Sequence, residues 1–141
     1  MLMDRDRALR VLRESGMRLT PQRRAVIDVL SGDTTHPFAE DVASRVATKM
    51  PGVSLSTVYK TLHEFAALGL IHELGSSGAM RFDAEPEPHA HVECPICLAV
   101  EDFDPPAAVV RQLGLAAGIS DEPVFITVHA PCDSCARATV H

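Results

Sequence analysis

Between Asp83 and Cys97 the chain reads DAEPEPHAHVECPIC, with two histidines two residues apart, two cysteines three apart and carboxylates around them. These are the side-chain types that bind transition metals well. A second CxxC, CDSC, spans Cys132 to Cys135 and completes the four cysteines of the chain. Four thiolates in two CxxC pairs suit a closed tetrahedral zinc site on Cys94, Cys97, Cys132 and Cys135. Such a site contributes folding energy and is not catalytic. The alternatives are two buried reduced pairs or a redox dithiol, and neither accounts for both spacings at once.

The histidines pose a separate question. Side chains alternate along a strand, so His89 and His91 share a face and Cys94 points to the other. If a hairpin pairs Cys94 with Ala99, its register sets Asp102 opposite His91 on the same face. His89 and His91 with Asp102 and Asp83 then form a nitrogen and oxygen donor set suited to Fe(II), Mn(II) or zinc. The plainer reading of a bare HxH beside a linker is a solvated pair. The expectation is two sites, one of sulfur and one of nitrogen and oxygen.

The elements that must hold these residues follow from periodicity and punctuation. Residues 4–14 place Ala8, Leu9, Val11 and Leu12 on one helical face, ended by Gly16. Thr20 and Pro21 read as N-cap and first helical residue of a second helix that Gly32 stops. FAEDVASRVATKM is a third helix, closed by Pro51-Gly52. The fourth, VSLSTVYKTLHEFAALG, is capped by Ser54 or Ser56 and ended by Gly69. LIHELG and AMRFDA are two strands joined by a GSSG turn. Helices followed by such a hairpin give the order of a winged helix. Pro86 and Pro88 mark a stiff linker. Beyond it come strands HVEC and AVEDF, the helix PPAAVVRQLGLAAG and a strand PVFITVHA, a small α+β unit that ends just after CDSC.

The 141 residues fit one domain, or two small ones. The net charge of −6 is unevenly spread. Residues 1–84 hold 11 Lys/Arg and 10 Asp/Glu, or +1, against 2 and 9, or −7, in residues 85–141. An arginine-bearing front half thus precedes an acidic back half. No run reaches the roughly 18 apolar residues of a membrane span. The start, MLMDRDRALRVLRESG, lacks the apolar core and cleavage site of a signal peptide, so the expected location is cytoplasmic.

In a helix-turn-helix the second helix enters the major groove by its N-terminal end. Here that end carries Ser56, Thr57, Tyr59 and Lys60, suited to phosphates and base edges. Arg18, Thr20, Gln22, Arg23 and Arg24 cluster at the start of the second helix, where they could hold the DNA backbone. Taken alone, either set also reads as the polar face of a surface helix.

LTPQRRAVIDVL, THPFAEDV, VSLSTVYKTLHEFAALGLI, HAHVECPIC and CDSC, in this order, resemble the ferric uptake regulator family over nearly the whole chain. The resemblance implies a homodimeric, metal-dependent transcriptional repressor acting on a double-stranded DNA operator, an AT-rich palindrome. It implies a winged-helix DNA-binding domain at 1–84, a hinge at 85–88 and a dimerisation and metal-binding domain at 89–141. It puts structural Zn(2+) on the four cysteines and regulatory Fe(2+) or Mn(2+) on His36, Asp83, His89, His91 and Asp102. His36 comes from the THPFAEDV match alone. Aspartates at 83 and 102, where iron regulators often have glutamates, resemble the peroxide-sensing branch. There, hydrogen peroxide oxidises a histidine ligand of ferrous iron, a position that falls on His36 or His89. Pro88 and Ala90 replace ligands of a further site, so no third site of that type is expected. The nearest alternative is an iron or manganese uptake regulator without peroxide sensing. A non-haem iron enzyme and a zinc-only interaction module are the rivals from other classes.

Overall fold

The computed structural model describes residues 2–76, 79–119 and 124–139. The chain divides into two compact units, Met1–Glu87 and Pro88–His141.

The first unit opens with α1 (Arg5–Glu14), whose N-cap Asp4 accepts the Arg7 amide at 2.7 Å. In α2 (Pro21–Leu30) the Thr20 hydroxyl accepts the Arg23 amide, as the Thr-Pro pair predicts. Ahead of α3 (Ala39–Lys49), the Asp41 carboxylate reaches back to the Phe38 amide at 3.1 Å. Of the two serines that could cap α4 (Leu55–Ala67), Ser54 does so, accepting the Thr57 amide at 3.2 Å. Gly69 leaves α4 at φ +73°, a conformation that favours glycine.

Val58, Leu62 and Phe65 of α4 are fully buried against α2 and α3, with Val26, Leu30, Val42 and Val46 among their cluster. Each such side chain contributes about 1.5–3 kcal/mol by leaving water, and Phe65→Ala would cost about 3–5 kcal/mol. Leu68, one turn after Phe65, is half-buried. Strands β1 (His72–Ser76) and β2 (Ala79–Asp83) pair antiparallel, His72 opposite Asp83 and Ser76 opposite Ala79. Gly75 and Ser76 of the expected GSSG turn therefore belong to β1, while Ser77 and Gly78 lie outside the described residues. The unit is a winged helix, with α3 and α4 as its helix-turn-helix.

The second unit is built on β3 (Ala90–Glu93), flanked by β4 (Val100–Phe103) antiparallel and β5 (Ile126–His129) parallel. Between β4 and β5 runs α5 (Ala107–Ala116), and α6 (Asp133–Thr139) follows β5. No element after the last strand is expected from the local pattern, and α6 is an addition to it. Asp133 in its first turn and Arg137 in its last complement the helix dipole and were the available signal. The fold class is α+β, a winged helix followed by a small α/β unit carrying a four-cysteine cluster. Among the described residues no helix is long and apolar enough to cross a membrane.

Two candidate metal centres and a nucleic-acid face

The four cysteines meet because β3 pairs with both neighbours. The Cys94 amide donates to the Ala99 carbonyl at 2.9 Å, continuing the β3–β4 ladder, and the Leu98 amide returns to the Cys94 carbonyl at 2.9 Å. Leu98 closes this knuckle at φ +64°, an uncommon conformation for a branched residue. On the other edge, Ala130 donates to the Glu93 carbonyl at 3.1 Å, which carries the chain after β5 alongside Cys94. The turn into α6, with the Ala136 amide on the Cys132 carbonyl at 2.8 Å, brings Cys135 back beside Cys132.

All four sulfur atoms lie within 4.8 Å of one another, and Cys97 Sγ is 3.8 Å from Cys132 Sγ. That is no disulfide, whose sulfurs are about 2.05 Å apart. It is the edge of a tetrahedron: Zn–S bonds of about 2.3 Å set their sulfurs about 3.8 Å apart. The thiol chemistry agrees. Backbone N–H groups of Cys97 and then Cys132 stabilise the Cys94 thiolate and bring its pKa to about 6. Hydrogen bonding to the Cys132 sulfur pushes Cys135 up to about 12, so without a metal the cluster retains protons that zinc would displace.

The nitrogen and oxygen donors occur in both units. In the second, register sets His91 opposite Asp102, as a hairpin pairing Cys94 with Ala99 implies. Asp102 Oδ1 lies 3.2 Å from His91 Nε2 and 3.5 Å from His89 Nε2, and the two rings are 4.2 Å apart. His91 is buried, while Asp102 is 53% exposed and can turn. In the first unit, His36 Nε2 is 3.3 Å from Asp83 Oδ2, and both side chains are buried. Donors about 2.1 Å from one ion and at right angles about it are about 3.0 Å apart, so both groupings fit metal ligation. Imidazole with carboxylate suits Fe(II), Mn(II) or zinc, where the four thiolates select zinc.

His36 sits at φ +52° in the segment between α2 and α3. Asp33 organises the approach to it, accepting from the Thr35 amide and hydroxyl at 2.8 Å each and from Arg45 at 2.6 Å. Burial pushes the Asp33 carboxyl up, but the Thr35 amide and the Arg45 guanidinium outweigh it and hold the group below the usual carboxylate range. Arg81, buried in β2, donates from Nε to the His36 carbonyl at 2.9 Å and lies over the Phe38 ring at 4.4 Å. The sequence reading passed over Arg81, Asp33 and Arg45. The only hint of Arg81 was its spacing, two residues before Asp83 and so on the same face of the strand.

At the start of α4 the Ser54 hydroxyl meets those of Ser56 at 3.1 Å and Thr57 at 2.8 Å. Tyr59 is half-buried, its hydroxyl 3.4 Å from Glu40, and Lys60 one residue on is exposed. Arg18 and Arg24 are exposed, Gln22 is half-buried and Thr20 caps α2. Arg23 is placed differently. Its guanidinium contacts Glu64 of α4 at 3.2–3.3 Å and the Arg18 carbonyl at 2.6 Å, so it braces α2 on α4.

A winged helix joined to an α/β unit with a four-cysteine metal cluster and His/Asp donors defines a class of metal-responsive regulators. Residues 14–129 match the Ferric uptake regulator family, and the chain belongs to it. The Peroxide operon regulator of Bacillus subtilis is 34% identical over 137 residues, 95% of this chain and 94% of that one. The Campylobacter jejuni peroxide stress regulator superposes with a TM-score of 0.68 at 26% identity, covering 90% of this chain and 98% of that one. The Helicobacter pylori ferric uptake regulator reaches a TM-score of 0.79 at 21% identity, covering 96% and 97%, and carries the likeness of fold.

Proposed function

We propose that this chain is a metal-dependent transcriptional repressor of the cytoplasm that binds a double-stranded DNA operator as a homodimer and releases it on exposure to hydrogen peroxide. The observation that carries the reading is the division of the nitrogen and oxygen donors: His36 and Asp83 in the first unit, His89, His91 and Asp102 in the second. One regulatory Fe(2+) or Mn(2+) ligated by all five ties the units together across a hinge at residues 85–88. Metal then favours one orientation of the two winged helices of a dimer, matched to half-sites about one helical turn apart. Coupling of about 1–3 kcal/mol gives a 5–150-fold change in DNA affinity.

Apolar side chains that remain exposed on the second unit, Val109, Leu113 and Leu115 of α5 with Phe125 and Val128 nearby in sequence, support self-association there. On the first unit Lys60 and the group Arg18, Thr20, Gln22, Arg23 and Arg24 at the start of α2 hold the DNA backbone, and Tyr59 with Ser56 and Thr57 faces the bases.

Ferrous iron, when bound, supplies the electrons that cleave the O–O bond of hydrogen peroxide. By resemblance to the peroxide-sensing branch the oxidised ring is that of His36 or His89, and a ring that has gained oxygen is a poorer ligand. Loss of that ligand frees the units from one another, and DNA is released. Aspartate at both carboxylate positions and the likeness to peroxide regulators support this reading over an uptake regulator without peroxide sensing. The chain acts as a regulator and not as an enzyme.

The test is retardation of an AT-rich palindrome by zinc-replete protein loaded with Fe(II) or Mn(II), before and after peroxide, with peptide mass mapping. Both forms should bind, and only the iron form should release DNA and gain one oxygen on the peptide with His36 or His89. Retention of DNA by the iron form with unmodified histidines would reduce the reading to a plain iron or manganese regulator.

A further inference from the structure

We propose that Arg81 is a positioning residue that presets the first unit's half of the regulatory metal site by gripping the backbone of His36. This rests on the reading of His36 and Asp83 as metal ligands. The starting point is the conformation of His36, at φ +52° and followed by Pro37. A side chain with a Cβ disfavours the left-handed region, and a following proline pushes its predecessor toward extended backbone. Released, this segment would relax and swing the imidazole.

Neighbouring contacts oppose that relaxation. Arg81 Nε donates to the His36 carbonyl at 2.9 Å in a buried setting, and the Phe82 amide donates to the Pro37 carbonyl at 3.0 Å. The Arg81 guanidinium also lies 4.4 Å from the centre of the Phe38 ring, and Phe38 bridges to Arg81 in the manner of a strand pair. Arg81 and Asp83 are two apart on β2 and so project from one face. Asp83 meets the His36 ring at 3.3 Å while Arg81 holds the His36 main chain. One strand face therefore fixes both where His36 sits and where its ring points. Only a planar, multi-donor cation bonds the carbonyl and stacks on the ring at once, so lysine is no substitute here.

The test uses zinc-replete protein and Mn(II) titration of the wild type, Arg81→Met, Arg81→Lys, His36→Ala and the Arg81→Met/His36→Ala double variant. Arg81→Met and Arg81→Lys should each weaken Mn(II) binding, Arg81→Met by about 10–100-fold, as removal of an outer-sphere support does. The double variant should bind no more weakly than His36→Ala, because a support for an absent ligand has nothing left to do. Without Mn(II), amide exchange at Thr35, His36 and Phe38 should quicken in Arg81→Met. Should Arg81→Met fail to fold, Phe38→Leu removes the ring beneath the guanidinium and should show the same non-additivity with His36→Ala. Wild-type Mn(II) affinity in Arg81→Met, or an equal further loss in the His36→Ala background, overturns the proposal. Unchanged affinity in His36→Ala alone instead overturns the metal-site reading, and this proposal with it.

Discussion

The four cysteines all belong to Pro88–His141, on segments that the β3–β4–β5 sheet already aligns, whereas the His/Asp donors are shared between that unit and Met1–Glu87. Within the sulfur cluster, each CxxC pair is closed by a turn held by a backbone hydrogen bond. The His/Asp set has one histidine in a left-handed backbone and a carboxylate that is 53% exposed. Four thiolates leave no open position and bind zinc to hold a fold. If one ion takes donors from both units, as proposed, it gains its last ligands only when the two bodies adopt one arrangement, which is what a switch requires. In the proposed reading, donor type and the place where the donors are anchored separate a permanent metal from a conditional one.

The largest effect should come from breaking the permanent side. Cys94→Ser or Cys132→Ser opens a site whose metal contributes roughly 10 kcal/mol or more to folding. Zinc content should fall from about one per chain toward none, and thermal unfolding of the second unit should lose its cooperative transition. A Cys94→Ser protein with normal melting and dimerisation would show that the cluster is not a staple.

Breaking the conditional side should leave the fold intact. His36→Ala and His91→Ala should keep zinc and melting behaviour but lose metal-dependent DNA binding, about 5–150-fold in affinity. The readout is operator binding with and without Mn(II). Equal loss of zinc in these variants would erase the distinction between the two centres.

Lys60→Ala should weaken binding to all DNA sequences and lower the slope of log affinity against log salt by about 0.9, since one phosphate contact releases its counterion. Tyr59→Phe should alter preference among operators instead. Unchanged binding in both would place the recognition face elsewhere.

The smallest effect concerns the approach to His36. The Asp33 carboxyl is held below its ordinary value in the folded chain. Its stabilisation is therefore fully present above the unfolded pKa near 3.8 and is lost as pH falls through the lower folded value. Asp33→Asn should cost about 1 kcal/mol at pH 7 and less below pH 3. Denaturant unfolding at the two pH values measures this, and a pH-independent difference would mean that the Arg45 and Thr35 contacts contribute nothing through charge.

What could be read from the sequence was whatever local pattern records. Thr20-Pro21, Gly69 and the apolar spacing of α4 encode their elements directly. The CxxC turn suggested a hairpin that pairs Cys94 with Ala99, and given that pairing the register sets His91 against Asp102. The hidden part depends on partners distant in sequence. The contact of Arg81 with His36 spans 45 residues, and that of Arg23 with Glu64 spans 41. Neither leaves a periodicity, so the bracing of α2 on α4 by Arg23 had no local signal. His36 carried no local signal either, since a histidine before a proline is an ordinary turn sequence.

The claim that one regulatory metal draws ligands from both units is tested most directly by counting imidazoles on bound Mn(II). Electron spin echo measurements on zinc-replete protein loaded with Mn(II) report the nitrogens coupled to the ion. Histidines at 36, 89 and 91 predict three imidazoles in the wild type and two in each of His36→Ala and His91→Ala. Two imidazoles in the wild type, unchanged by His36→Ala, would confine the metal to the second unit and contradict the account.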